Sequence, residues 1–169
     1  MKRKPKFTVN RREVLFIILT VIWCGVIFGF SAQVADDSSK TSGGVIYLFC
    51  RLVVSGFKNL DSAERDEMIS GMQFWVRKAA HFAVFFVLGV LSLQVFLSAD
   101  PPKRRRDCAF AALAFSILYA ISDEVHQHFV PGRACQLRDI CIDTAGAAVG
   151  VLLSIAVIRL IALKNRKKA

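Results

Sequence analysis

No CxxC or HExxH spacing, glycine-rich phosphate loop, nucleophile motif, internal repeat or low-complexity linker occurs in this chain. The five cysteines (Cys24, Cys50, Cys108, Cys135, Cys141) are odd in number and unpaired in spacing, which supports neither a zinc site nor a disulfide framework. No metal and no cofactor is expected from histidines at these spacings. With only four prolines and no linker, the 169 residues read as a single domain, too short for a separate soluble lobe. Acidic residues are also few, 13 against 23 Lys and Arg.

What the chain has is hydrocarbon. Apolar residues make up 54% of it, more than a soluble domain of this size can bury. Val14–Phe30 is uncharged, Ala79–Leu97 holds only His81 as an ionisable group, and Ile140–Ile158 is interrupted only by Asp143. Cys108–Ser122 is shorter and spans a bilayer if its helix continues into Asp123–His128. Ser31-Ala32-Gln33-Val34 is a poor small-x-small cleavage site, so the first segment is expected to be a retained span and not a signal peptide. The expected class is an all-α membrane protein, a four-transmembrane-helix bundle with helices near 14–32, 74–98, 108–128 and 139–163. The transmembrane domain is set at 14–163, between a basic cytoplasmic N-terminus (1–13) and a basic cytoplasmic tail (164–169).

The basic residues alternate in density between loops. Six precede the first span, four (Lys103, Arg104, Arg105, Arg106) separate the second from the third, and five follow the fourth, against six and two in the other connections. By the positive-inside rule both termini are cytoplasmic, in what reads as a bacterial plasma membrane protein. The basic runs read as topology signals and anionic-lipid contacts, and no nucleic-acid partner is expected.

The longest connection, from about Gln33 to Lys78, is then outside. Its Val45–Val54 stretch, with Arg51 as the only charge, is too short to span and is expected to lie in the interface as a short helix. Asp61-Ser62-Ala63-Glu64 has the form of a capping box starting a helix that runs through Met68, Met72 and Trp75 into the second span. Asp100-Pro101-Pro102 should end that helix, and Pro131-Gly132 should turn the chain between the last two.

In this topology the unusual polar groups share one membrane face: Ser31 and Gln33, then Arg77, Lys78 and His81, then Asp123, Glu124, His126 and Gln127, then Arg133, Asp139 and Asp143. Ionisable groups there are costly and so are candidates for function. Asp139, Asp143, Gly146 and Gly150 form one stripe of the last helix, and Gly146-x-x-x-Gly150 invites close approach of another helix. Asp143 therefore points inward and needs a partner, with Arg133, Lys78 and protonated His81 as candidates. Arg133 is the natural anion binder, since its planar fork suits phosphate or carboxylate. His126 and His128 are expected to face the interface.

Three motifs, Arg77-Lys78-Ala79-Ala80-His81-Phe82, Asp123-Glu124-x-x-Gln127-x-Phe129-x-Pro131-Gly132-Arg133 and Asp139-x-x-x-Asp143-x-x-Gly146, together resemble the VanZ-like family of small bacterial membrane proteins. Phe30-Ser31-Ala32-Gln33 is similar to the same pattern. The resemblance implies an association with the glycopeptide teicoplanin through the family's namesake, and no particular reaction. Asp143 departs from the Asn frequent in the family, and Ala134-Cys135-Gln136 from its small residues after the arginine.

The expected function is recognition of an anionic envelope lipid or cell-wall precursor headgroup, with an influence on glycopeptide susceptibility. Its ligand-binding candidates are Arg77, Lys78, His81, Asp123, Glu124, Gln127, Arg133, Asp139 and Asp143. Alternatives are a lipid-modifying transferase or hydrolase, with Glu124 or His81 as general base and Asp123 with Asp143 on a divalent cation, and a structural or assembly subunit.

Overall fold

Long runs without proline, rich in Leu, Ile, Val, Phe and Ala, leave the backbone no partner but itself in an apolar medium, and the described residues are accordingly helical apart from short connections. The computed structural model describes residues 10–99 and 104–167. Its elements are α1 (Arg11–Ser31), α2 (Ala35–Val53), a 3₁₀ turn (Phe57–Asn59), α3 (Ser62–Ser98), α4 (Arg105–His128) and α5 (Leu137–Arg166). The basic residues Lys2 to Lys6, the Asp100-Pro101-Pro102 stop, Lys103 and Lys168 lie outside the described residues.

α1, α3, α4 and α5 are each long and apolar enough to cross a membrane. Large apolar side chains such as Leu15, Val21, Leu118, Leu152 and Leu160 are exposed on them, the pattern of helices solvated by lipid. Their ends lie within three residues of the expected positions, except that α3 is continuous from Ser62. Asp61 accepts the Glu64 N–H and Glu64 accepts the Asp61 N–H, so a complete capping box starts that helix. At 37 residues α3 is about 55 Å long, well beyond the roughly 30 Å of hydrocarbon it must cross.

The short helix expected over Val45–Val54 is present and begins ten residues earlier: α2 has 19 residues, with only three residues between it and α1. Asp36 and Asp37 stand in its first turn, where a helix favours negative charge. Thr41 and Ser42 donate their hydroxyls to the Asp37 and Ser38 carbonyls one turn back, so these side chains are satisfied within the helix. Ile46 and Cys50 bury against Met68, Ile69, Met72 and Val76, so the two methionines are packing residues between α2 and α3.

Contacts along the spans give the topology. α1 is antiparallel to α3, with the Trp23 indole N–H on the Val84 carbonyl (2.8 Å) and the Asn10 amide on that of Ser98 (2.7 Å). α1 and α4 are parallel, joined by the Tyr119 hydroxyl to the Cys24 carbonyl (2.6 Å) and by Ser31 to Asp123. α3 and α5 are parallel and form the most intimate pair. A Cβ placed on Gly146 or Gly150 would collide with the carbonyls of Phe82 or Phe86, and one on Gly89 with that of Ala147. Phe85, Leu88, Ile27 and Ala120 fill the centre of the bundle.

Gly146→Ala should therefore cost about 1–3 kcal/mol of stability in detergent despite the gain in helix propensity, because backbone cannot yield to the methyl. Gly25→Ala, with open space at its Cα, should be neutral or stabilising by up to about 1 kcal/mol, and equal thermal melting of the two variants would refute the close packing.

Candidate functional site

Where α1 and α4 end and α5 begins, the bundle holds a layer of buried polar side chains. The register of α3 against α5 creates its first two contacts. Lys78 donates to both carboxylate oxygens of Asp139, at 2.6 Å to Oδ2, and both side chains are nearly buried. One turn deeper, His81 Nδ1 lies 3.4 Å from Oδ1 of Asp143, which is fully buried. That contact lacks hydrogen-bond alignment, and neither Asp143 oxygen has a hydrogen-bond partner among the described residues.

A second set ties α1 to α4 and to the turn before α5. Asp123 Oδ2 accepts from the Ser31 hydroxyl (2.7 Å) and from the Gln127 amide (2.8 Å). The Gln127 carbonyl oxygen accepts from Arg133 Nη1 (2.9 Å), and Arg133 Nε donates to the Gln33 carbonyl (2.9 Å). Arg133 thus reaches Asp123 through an amide, without an ion pair. Gly132, at φ +76°, makes the sharp turn that delivers it. Glu124 is fully buried; its Oε2 accepts the Gln136 N–H (2.9 Å) at the start of α5, and Oε1 has no partner among the described residues.

The pairing expected for Asp143 is thereby narrowed. His81 is its neighbour, Lys78 is taken by Asp139, and Arg133 bonds to Gln127 and to carbonyls at the α1–α2 turn. His126 stacks on Phe28 (4.4 Å between ring centroids) and His128 packs edge-on against Phe129, so both stand apart from the layer. Among the described residues no group of three or more His, Cys, Asp or Glu side chains is arranged to hold a metal ion, and Asp123 with Asp143 does not form one.

In front of this layer lies a cavity of about 410 Å³ between α1, α2 and α3. Arg77, His81 and Arg133 line it, with Ser31 and Gln33. Ser38, Thr41 and Ser42 of α2 add hydroxyls, while Ile27, Phe30, Val45, Val76 and Val84 form hydrocarbon wall. No carboxylate is among the lining residues. Burial, and then the like charge of Arg77, hold the Arg133 guanidinium below its usual pKa, so these two cations repel one another across the site. Of the nine expected ligand-binding residues, three (Arg77, His81, Arg133) reach the cavity, whereas Lys78, Asp123, Glu124, Gln127, Asp139 and Asp143 form the layer behind it. The α2 hydroxyls were not anticipated, because only the apolar half of that segment carried a helical signal.

The model of the VanZ/LLP1 family matches residues 16–160, from the first turns of α1 almost to the end of α5. The chain belongs to that family. No curated protein and no solved structure gives a significant match. The family span encloses the whole polar layer and the cavity, so both lie within the part this VanZ/LLP1 membrane protein shares with its relatives.

Removing one member of a buried ion pair leaves the other uncompensated, at about 3–5 kcal/mol. Lys78→Met should destabilise by about that amount and be partly rescued by adding Asp139→Asn, whereas Asp143→Asn should be tolerated, because an amide of the same shape can still accept from His81 and leaves no buried charge unpaired. Thermal melting of the single and double variants in detergent reads the coupling, and strict additivity of Lys78 and Asp139 would refute the pair.

Proposed function

We propose that the cavity receives the headgroup end of an amphipathic, anionic envelope molecule, either an anionic lipid or a lipid-linked cell-wall precursor. One observation carries this reading: every charged or titratable group lining the cavity is a cation or a histidine, and much of the remaining wall is hydrocarbon. A bound anion would relieve the repulsion between Arg77 and Arg133, and a guanidinium offers it paired donors. The volume is in the range of small-molecule sites. The buried carboxylates behind the wall keep Lys78 and, through Gln127, Arg133 in place. Their absence from the lining supports binding over acid–base chemistry at Glu124 or Asp123. An effect on teicoplanin susceptibility would follow from occupancy of a precursor to which the glycopeptide is directed. The cavity is assigned to the extracytoplasmic face, with both termini cytoplasmic, from the distribution of Lys and Arg.

Two measurements test this. Arg77→Gln should weaken retention of anionic lipid by the purified protein about 10-fold, with neutral-lipid retention unchanged; equal retention across a lipid panel would refute the anion site. In a Cys141→Ser background, exposed Cys135 should react with a membrane-impermeant maleimide in intact cells, and reaction only after lysis would invert the topology.

A further inference from the structure

The outer end of α2 carries features that the cavity does not use. Leu48, Phe49 and Leu52 share one helix face, each 50% or more exposed, and continue the line of Val45, which is itself part of the cavity wall. The face that packs on α3 is a different one, marked by Ile46 and Cys50. α2 therefore has two apolar faces, one buried in the protein and one turned outward.

Beside the outward stripe, three cations converge. Arg51, Lys58 and Arg65 line a hollow of about 270 Å³ with the rings of Tyr47 and Phe57, which meet edge to face at 5.6 Å. The Arg65 guanidinium stands 6.0 Å over the Phe57 ring and donates to the Lys58 carbonyl (2.8 Å), so it is held in place. Arg51 and Lys58 also line an adjoining hollow of about 380 Å³ that includes Leu52 and Val53 of α2. No carboxylate lines either hollow. Asp61 and Glu64 are consumed by the capping box of α3, and neither Arg51 nor Lys58 is ion-paired among the described residues.

We infer that this junction is a second anion site, a seat for the phosphate of an anionic phospholipid whose chains lie against the outward stripe of α2. The start of α2 is held near the bilayer surface, because only three residues separate it from the membrane-spanning α1. An apolar stripe flanked by basic side chains is the pattern of a helix lying at the headgroup boundary. The aromatic pair and the left-handed turn at Gly56 (φ +83°) set the wall that holds Lys58 and Arg65 on the same side. The site is independent of the main cavity and shares no lining residue with it.

The test is native mass spectrometry of the full chain released from micelles doped with phosphatidylglycerol or, at equal mole fraction, phosphatidylcholine. Arg51→Gln/Lys58→Gln, two exposed positions, should weaken phosphatidylglycerol retention by about 10- to 30-fold and leave phosphatidylcholine retention and thermal melting unchanged. Arg51→Lys/Lys58→Arg should retain the lipid as the natural chain does. Unchanged phosphatidylglycerol retention in the Gln variant, or equal loss of both lipids, would overturn the proposal. So would displacement of the lipid by inorganic phosphate, which would make the site one for the free ion. The Arg77→Gln protein distinguishes the two sites: retention lost there and kept in Arg51→Gln/Lys58→Gln would support only the main cavity.

Discussion

Backbone contact between α3 and α5 is the constraint on which the rest of the structure depends. Without a Cβ at Gly89, Gly146 and Gly150 the two helices approach until carbonyls of one lie where side chains of the other would stand. In a lipid environment, where hydrophobic burial adds little between helices, such close packing supplies much of the association. It also sets the register: with Gly146 against Phe82 and Gly150 against Phe86, Asp143 falls beside His81 and Asp139 beside Lys78. The ion pair and the histidine contact are consequences of the glycine stripe.

That register sorts charge by depth. Asp123 and Glu124 on α4 and Asp139 and Asp143 on α5 are buried, and cations on α3 and on the turn before α5 lie between them and the open space in front. Lys78 is consumed by Asp139, and Arg133 is steered through Gln127 toward Asp123 without neutralisation. Arg77, Arg133 and His81 are left facing a cavity with no acid in its wall. A fully buried carboxylate is expensive unless compensated, so Glu124, with one oxygen unpartnered, and Asp143, with neither oxygen hydrogen-bonded among the described residues, mark where this chain accepts a stability cost behind its cation-lined cavity.

α2 closes the arrangement from outside the four spans. Its polar first half lends hydroxyls to the cavity, and its apolar second half packs on the N-terminal half of α3. One helix thus supplies a wall for one site and a surface for another.

Much of the architecture was legible in the chain. Apolar run lengths set four spans, because a backbone in hydrocarbon must be helical and of bilayer length, and Asp61 to Glu64 marked the start of α3 by local capping alone. The motifs around His81, Asp123 and Asp143 were enough to mark the family, and helical periodicity placed Asp143 on an inward stripe. The polar half of α2 was not legible, since its first-turn acids and its Ser and Thr residues, bonded back to the helix carbonyls, leave no apolar period. Nor was the choice among cations: Lys78, His81 and Arg133 are equivalent partners for Asp143 by type and membrane depth. Only the packed register of α3 on α5 assigns Lys78 to Asp139 and His81 to Asp143, and only the turn at Gly132 sends Arg133 elsewhere. Sequence determined which groups lie at which depth, because depth follows from local hydropathy. Tertiary structure decided which groups meet, because the rotation and spacing of helices follow from contacts between residues far apart in the chain.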